Sequence, residues 1–311
     1  MNLEMFLEKL KKGIVIKMQG AAEVKINEVI KNNGFCLHGL TITEKDRNIS
    51  PTIYVDDMYQ EYIQGRPISE IVDSIIVLYH KSRLEKNINM EFFLKYENVK
   101  ERIVYKLIDY NRNQELLERI PHVPYLNLAI VFYYMVNEGP FGNATILIQN
   151  NHCRIWDKKT EDIYKDACIN TPKILPVQIK GMDEIICEMM EKQVMEEDPG
   201  MAEKIMEEVG EIPGERRMYV LSNNMKMQGA SALLYPGVLQ DFSKALGKGF
   251  YILPSSIHEV ILVPEVGDEE PKLMEAMVCE INETQLDVEE VLSDKVYYYS
   301  REQRTLCLCE G

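Results

Sequence analysis

The chain contains no C-x-x-C pair, no H-E-x-x-H, no Walker phosphate loop, no G-x-G-x-x-G and no G-x-S-x-G. Each absence removes a class: zinc ribbons and dithiol redox proteins, zinc proteases, nucleoside triphosphatases, dinucleotide-binding enzymes and α/β-hydrolases. No stretch nears the ~20 apolar residues that a membrane span needs. The start of the chain has no apolar run followed by a small-residue cleavage site. Basic residues form no patch. Lys9, Lys11, Lys12 and Lys17 share a helical stretch with Glu4 and Glu8 and read as its solvated face.

The chain does have a large acidic excess. Its 311 residues carry a net charge of −15, which repels phosphate backbones and argues against a nucleic-acid partner. Twelve acidic residues and only two lysines fall within Asp183–Glu215, a net of −10. Ile185, Ile186, Met189, Met190 and Val194 keep helical spacing there, so the segment reads as one or two amphipathic helices with a joint at Asp198-Pro199-Gly200. Its acidic surface is either bare and solvated or a partner-binding face. The seven cysteines, Cys36, Cys153, Cys168, Cys187, Cys279, Cys307 and Cys309, are odd in number and scattered, which points to neither a disulfide framework nor a zinc site. Cys307-Leu-Cys309 would place two small residues on one strand face. The expectation is a reduced, cytoplasmic protein with no membrane partner.

Apolar residues make up 46% of the chain, enough for substantial cores, and the length suits two modules. Leu3, Phe6, Leu7, Leu10 and Ile14 mark a first helix ending near Lys17. A hairpin follows, with Val24 and Ile26 alternating, a turn at Asn32-Asn33-Gly34 and a return over 35–42. Residues 49–55 read as a third strand, held to an edge by Pro51. A helix from about Asp56 to Gln64 stops at Gly65. Ile68, Ile71, Val72, Ile75, Ile76 and Tyr79 then form a helical stripe that faces a core. The polar stretch 81–89 marks a boundary, giving modules 1–88 and 89–311.

Within the second module, residues 90–102 read as helical and 103–108 as a strand. The apolar run 126–136 reads as a central strand covered on both faces, turning at 138–142 into a partner strand, 144–148. Thr160 is expected to cap a helix with Ile163, Tyr164, Ala167 and Cys168. Strands are expected at 218–222, 230–235, 250–253, 257–263, 295–300 and 305–309. Helices are expected around Val238–Leu246 and over Pro271–Thr284, the latter with Leu273, Met274, Met277, Val278 and Ile281 inward. Strand–turn–strand patterns from Tyr134 and from Tyr219 echo each other, as independent buried hairpins often do. The class is α+β: mixed β-sheets covered by helices, in two modules, with the acidic helical segment at 183–215.

The candidate site is the run Leu253-Pro-Ser-Ser-Ile-His-Glu-Val260. Ser255, Ser256, His258 and Glu259 sit there inside an apolar strand pattern, and polar groups so placed need partners. In a strand Ser256 and His258 share one face about 6.5–7 Å apart, beyond hydrogen-bond reach unless Pro254 bends the chain. His258 and Glu259 would point opposite ways and could not hold one metal together. Two readings stand. A hydrolase-like centre would use Ser255 or Ser256 with His258 and Glu259. A structural reading has the serines satisfying backbone groups at a bend while His258 holds a carbonyl or carboxylate. Three other constellations read as structure: His152-Cys153 as a helix entry, Asp56-Asp57 as acids at a helix N-terminus rather than metal ligands, and Tyr297-Tyr-Tyr299 as strand packing.

Several segments also carry a resemblance. Ser50-Pro-Thr-Ile-Tyr-Val55, then Tyr59, Tyr62, Gly65 and the helix to Tyr79, resemble the start of the bacterial family known as domain of unknown function 5688. Met218–Asn224, Gly229-Ala-Ser231, Ile252–Val260, Val278–Asn282 and Val291–Tyr297 resemble its C-terminal part, with Leu-Pro-Ser-Ser-Ile-His-Glu the most specific string. The resemblance implies an intracellular bacterial protein and an architecture, with no activity, substrate or cofactor. The functional expectation is a non-enzymatic interaction or regulatory module with a protein partner, no cofactor and no metal. Metal analysis of the purified protein should find no stoichiometric zinc or manganese; a full equivalent of either would overturn that expectation.

Overall fold

The computed structural model describes residues 2–48, 50–83, 90–136, 144–194, 217–254, 256–267 and 270–309. The chain divides into two compact units, Met1–Val99 with Met135–Ile146, and Lys100–Tyr134 with Leu147–Gly311. The expected module junction at 88/89, the turn at 138–142 and the joint at 198–200 lie outside the described residues.

The first unit is built on α1 (Leu3–Lys17), the hairpin β1 (Ala22–Ile30) and β2 (Cys36–Glu44), β3 (Thr52–Tyr54), α2 (Asp56–Ile63) and α3 (Ile68–Ser82). Asn2 starts α1 by accepting the Met5 N–H at 3.0 Å. The helix buries Phe6, Leu10 and Ile14, which recur every four residues. The sheet order is β1-β2-β3, and Val24, Leu40 and Ile42 present its inner face to that stripe. The α3 stripe closes the same core with Ile71, Val72, Ile75 and Tyr79.

The short α4 (Met90–Phe93) and α5 (Tyr96–Val99) close the first stretch of the first unit, and the second unit opens with β4 (Ile103–Asp109), α6 (Gln114–Leu117) and β5 (His122–Tyr125). Next come β6 (Leu128–Val136), β7 (Ala144–Leu147), α7 (Asn150–Trp156), α8 (Thr160–Ile174), β8 (Val177–Gly181) and α9 (Met182–Val194). All of β6 but its last residue is buried, and β4, β5 and β7 all pair with it. Thr160 is the first helical residue of α8 rather than its cap. Lys159 takes the cap position, and its N–H reaches the Asp162 carboxylate at 3.0 Å.

The last part is a six-stranded sheet ordered β13-β12-β10-β11-β9-β8, with β9 (Tyr219–Asn223), β10 (Phe250–Leu253), β11 (Val260–Pro264), β12 (Tyr297–Ser300) and β13 (Thr305–Leu308). The helices α10 (Val238–Leu246) and α11 (Pro271–Thr284) follow β9 and β11 in the chain. Gly247 ends α10 in the left-handed conformation, φ 78°. Tyr297 and Tyr299 of β12 are core residues, as strand packing requires.

The class is α+β. Every described ladder is antiparallel, where mixed sheets were expected. Several neighbours, β4 with β6, β9 with β11 and β10 with β12, are not consecutive in the chain, yet each connection still brings its strand back antiparallel. Two further expectations are corrected. The stretch expected as a strand at 230–235 is a 3-10 helix, Gly229–Leu234, which also dissolves the echo with the Tyr134 hairpin. Its Gly-Ala-Ser-Ala run lacks the branched and aromatic side chains that favour a pleated surface. In α11 the inward residues are Val278 and Asn282, while Leu273 and Met277 are 60% and 51% exposed. The Asn282 amide donates to the Ser293 carbonyl at 3.0 Å and to Asp294 Oδ1 at 2.8 Å, and this polar anchor sets the helix rotation.

Where β8 passes into α9, Arg217 Nε lies 2.7 Å from Asp183 Oδ1, with Glu184 on the same guanidinium at 2.6 Å. The Arg217 hydrogen bond holds the Asp183 carboxyl below the usual carboxylate range, and the pair raises Arg217 in turn. A carboxyl whose folded pKa is depressed adds stability above its unfolded pKa of ~3.9 and loses it as pH falls through the folded value. Water reaches both partners, so the effect is modest. Asp183→Asn should therefore lower the urea midpoint at pH 7, and the gap from wild type should shrink by about pH 3. A gap that stays constant over that range would remove the pair from the account of acid stability.

Candidate functional site

The Pro254–Glu259 segment is a loop between β10 and β11 rather than the start of a strand. The β10–β11 ladder pairs Leu253 with Ile261, and β11 begins only at Val260. Pro254 supplies no N–H to continue the ladder, and the Ser256 hydroxyl draws the local backbone into a bend. The alternation argument for Ser256 and His258 on one strand face therefore does not apply. Ser255 lies outside the described residues, and Glu259 is exposed.

Ser256 is 7% exposed and bridges to Val291. Its Oγ accepts the backbone N–H of His258 at 3.0 Å. The His258 carbonyl accepts the Ser222 hydroxyl at 2.8 Å, and His258 Nδ1 accepts the Gln228 backbone N–H at 3.2 Å. An Nδ1 lone pair committed to an N–H donor places the proton of the neutral ring on Nε2, which lies 3.7 Å from Glu290 Oε1. Three backbone bonds complete the junction: Ile257 N–H to the Glu290 carbonyl at 2.8 Å, Ala230 N–H to the Ile257 carbonyl at 3.2 Å, and Ser293 N–H to the Pro254 carbonyl at 3.1 Å. The loop thus ties β9, the 3-10 helix and the 290–293 segment together. Gly229 lies directly under the Ser222–His258 bond, and a methyl group there would collide with both partners.

A different constellation stands in the first unit. In the β1–β2 register Glu28 faces His38, continuing the inner face past the apolar pairs Val24–Ile42 and Ile26–Leu40. The Asp56 carboxylate, in the first turn of α2, accepts the His38 backbone N–H and meets His38 Nδ1, each at 2.7 Å. A carboxylate on Nδ1 fixes the proton there and leaves Nε2 as the acceptor of the neutral ring. His38 lines an open groove of about 700 Å³ with Asn2, Leu3, Glu4, Leu7, Glu8 and Lys11 of the α1 side and Ile26, Asn27 and Glu28 of β1. Leu3, Leu7 and Ile26 are partly buried against the core and give the groove an apolar floor. Glu4, Glu8 and Glu28 outnumber Lys11 along its rim, Glu8 also accepting from Lys12 Nζ at 3.2 Å. Among the described residues its lining holds no hydroxyl or thiol nucleophile. It can take a cationic group and an apolar side chain at once.

The family model for a family of unknown function (DUF5688) matches residues 3–301. The chain belongs to this family. No curated protein and no solved structure matches it. The family match spans both the junction and the groove.

The remaining sequence candidates resolve as structure. His152 Nδ1 accepts the Gln149 N–H at 3.0 Å at the entry to α7, and burial lowers the His152 pKa and raises that of Cys153. Asp57 is exposed, while Asp56 turns back to His38. Cys307 is exposed and Cys309 half-buried, its thiol pushed up to about 11 by burial. No group of three or more His, Cys, Asp or Glu among the described residues is placed to hold a metal. Sequence reading missed His38, Asp56 and Glu28 as a set. The signal was the turn at Asn32-Asn33-Gly34, which fixes the hairpin register and so sets His38 opposite Glu28.

His258→Ala leaves the Gln228 N–H without its acceptor and should cost about 1–2 kcal/mol of stability. Gly229→Ala should cost at least as much, because the methyl must displace the Ser222–His258 bond. Thermal melts of both variants check this. Wild-type melting temperatures would show that the junction does not hold the second unit together.

Proposed function

We propose that this chain is a non-enzymatic interaction module of the bacterial cytoplasm, and that its first unit binds a basic, partly apolar segment of a protein partner. The observation that carries the reading is the groove beside α1 and β1, an apolar floor of Leu3, Leu7 and Ile26 under a rim of Glu4, Glu8 and Glu28. Three glutamates against Lys11 along one concave lining favour a cationic segment over a nucleic acid. His38, held by Asp56, adds a fixed hydrogen-bond acceptor. Among the described residues no helix is long and apolar enough to cross a membrane.

Against the hydrolase-like reading of Ser255, Ser256, His258 and Glu259 stands the bonding of the loop. Ser256 Oγ is engaged by backbone rather than by the imidazole, and His258 Nδ1 is occupied by the Gln228 N–H. A serine nucleophile needs a base within ~2.6–3.2 Å that can take its proton. The distance of His258 Nε2 from Glu290, 3.7 Å, suits a positioned ring at a loop junction.

A twelve-residue peptide in which lysine alternates with valine serves as the probe. The triple substitution Glu4→Gln, Glu8→Gln, Glu28→Gln should weaken its binding about tenfold and flatten its salt dependence. His258→Ala, where folded, should bind it as the wild type does. Equal affinity and equal salt slope for the triple variant would sink the groove as the binding site.

A further inference from the structure

Among the described residues the sheet order β1-β2-β3 leaves β1 at an edge, and β1 is nine residues long. Its register with β2 runs unbroken from Ala22–Glu44 to Ile30–Cys36, with no bulge and no proline. Long edges of this kind are usually shortened, kinked or covered, because their open amides invite another strand.

The phase of the open groups follows from the far side of β2. His38 N–H goes to Asp56 and its carbonyl takes the Val55 N–H, while Ile42 N–H goes to the Ser50 hydroxyl. Even-numbered β2 residues therefore point toward β3 and odd-numbered ones toward β1. Their partners Lys25, Asn27 and Val29 point back, so the even-numbered residues of β1 direct N–H and C=O away from the sheet; Val24 is covered at 3% exposed, which leaves the groups of Ile26 and Glu28 accessible. The Lys31 N–H bonded to the Phe35 carbonyl at the hairpin end keeps the same phase. Ile26 and Glu28 also line the groove, whose other wall is Leu3, Glu4, Leu7 and Glu8 of α1.

We propose that the groove receives an extended basic segment of a protein partner, added as a fourth strand along β1 at Ile26–Glu28. This rests on the groove reading above and specifies how the groove is filled. The open backbone groups of Ile26 and Glu28 lie about 6.6–7 Å apart, a spacing that an extended chain matches and a helix does not. Alternate side chains of the added strand would turn toward α1. Leu3 and Leu7 accept apolar ones there, and Glu4, Glu8 and Glu28 accept lysine or arginine. A second copy of this chain is the poorer occupant, because β1 itself carries two glutamates and one lysine where the acidic rim calls for a basic strand.

Glu28→Pro removes only an outward N–H, since the bonds from β1 to β2 come from the odd-numbered residues; Glu28→Ala removes the same carboxylate and keeps the amide. With the lysine–valine peptide, Glu28→Ala should weaken binding a few-fold and Glu28→Pro a further fivefold or so. Circular dichroism and thermal melts show whether the proline variant keeps the fold. A second measurement leaves the protein untouched: the peptide N-methylated at alternate residues should lose affinity in one phase and keep it in the other. If proline and alanine variants bind alike and both N-methylated peptides bind alike, strand addition is wrong, while the charge dependence of the Glu→Gln variant still upholds the groove. A wild-type protein that ignores the probe overturns both. A peptide-free dimer that Glu28→Pro abolishes would assign the edge to a second copy and overturn the proposed occupant.

Discussion

The second unit depends on the way one loop uses its polar groups. From Pro254 to Glu259 the chain leaves the β10–β11 ladder, and each backbone group freed there must find another partner or lose ~1–3 kcal/mol. The loop meets that demand with Ser222, Ala230, Ser256, Glu290 and Ser293, drawn from four separate stretches of chain. Gly229 is required because the Ser222–His258 bond passes where a side chain would begin. The Leu-Pro-Ser-Ser-Ile-His-Glu string and the Gly-Ala-Ser string, far apart in the chain, are the two sides of this junction. Both strings also carried the family resemblance, and a structural requirement accounts for both.

The first unit shows the opposite arrangement. Its core is closed by apolar stripes from α1, α3 and the inner face of the hairpin. Toward the hairpin turn, the same inner face changes from Val24 and Ile26 to Glu28, and from Ile42 and Leu40 to His38. The hydrophobic face therefore gives way to charge before the strands end. Asp56 takes one nitrogen and the backbone N–H of His38, and the rest of that end opens into the groove. Where the second unit consumes its polar groups internally, the first leaves carboxylates and strand amides turned outward.

Much of this was legible from periodicity. The α1 and α3 stripes, the β1–β2 hairpin, the buried β6 and the glycine stop after α10 follow from local patterns whose packing faces are set within a few residues. The failures share a cause. The 229–234 run and the inward face of α11 are decided by distant partners, Ser222 with His258 in the first case and Ser293 with Asp294 in the second. A strand assignment for Ile257–Glu259 failed because the Ser256 hydroxyl had a local backbone N–H to bind, and side-chain alternation cannot see that choice. Identity alone marked Ser256 and His258 as polar groups needing partners; only the bend decided that the partners are backbone.

The contrast between the units bears on function through a simple limit. A hydroxyl or imidazole engaged by obligatory backbone donors must give up those bonds before it can serve a substrate, and nothing in the loop repays that loss. Glu4 and Glu28 on the rim, an imidazole with a free acceptor and the outward amides of Ile26 and Glu28 carry no such backbone commitment, and Glu8 holds only an exposed pair with Lys12. A ligand with matched donors and an apolar side chain gains the release of water from such groups. The uncommitted polar groups of this fold therefore gather where the hairpin's apolar face runs out, beside the Asp56 that sequence reading had set down as an acid at a helix N-terminus.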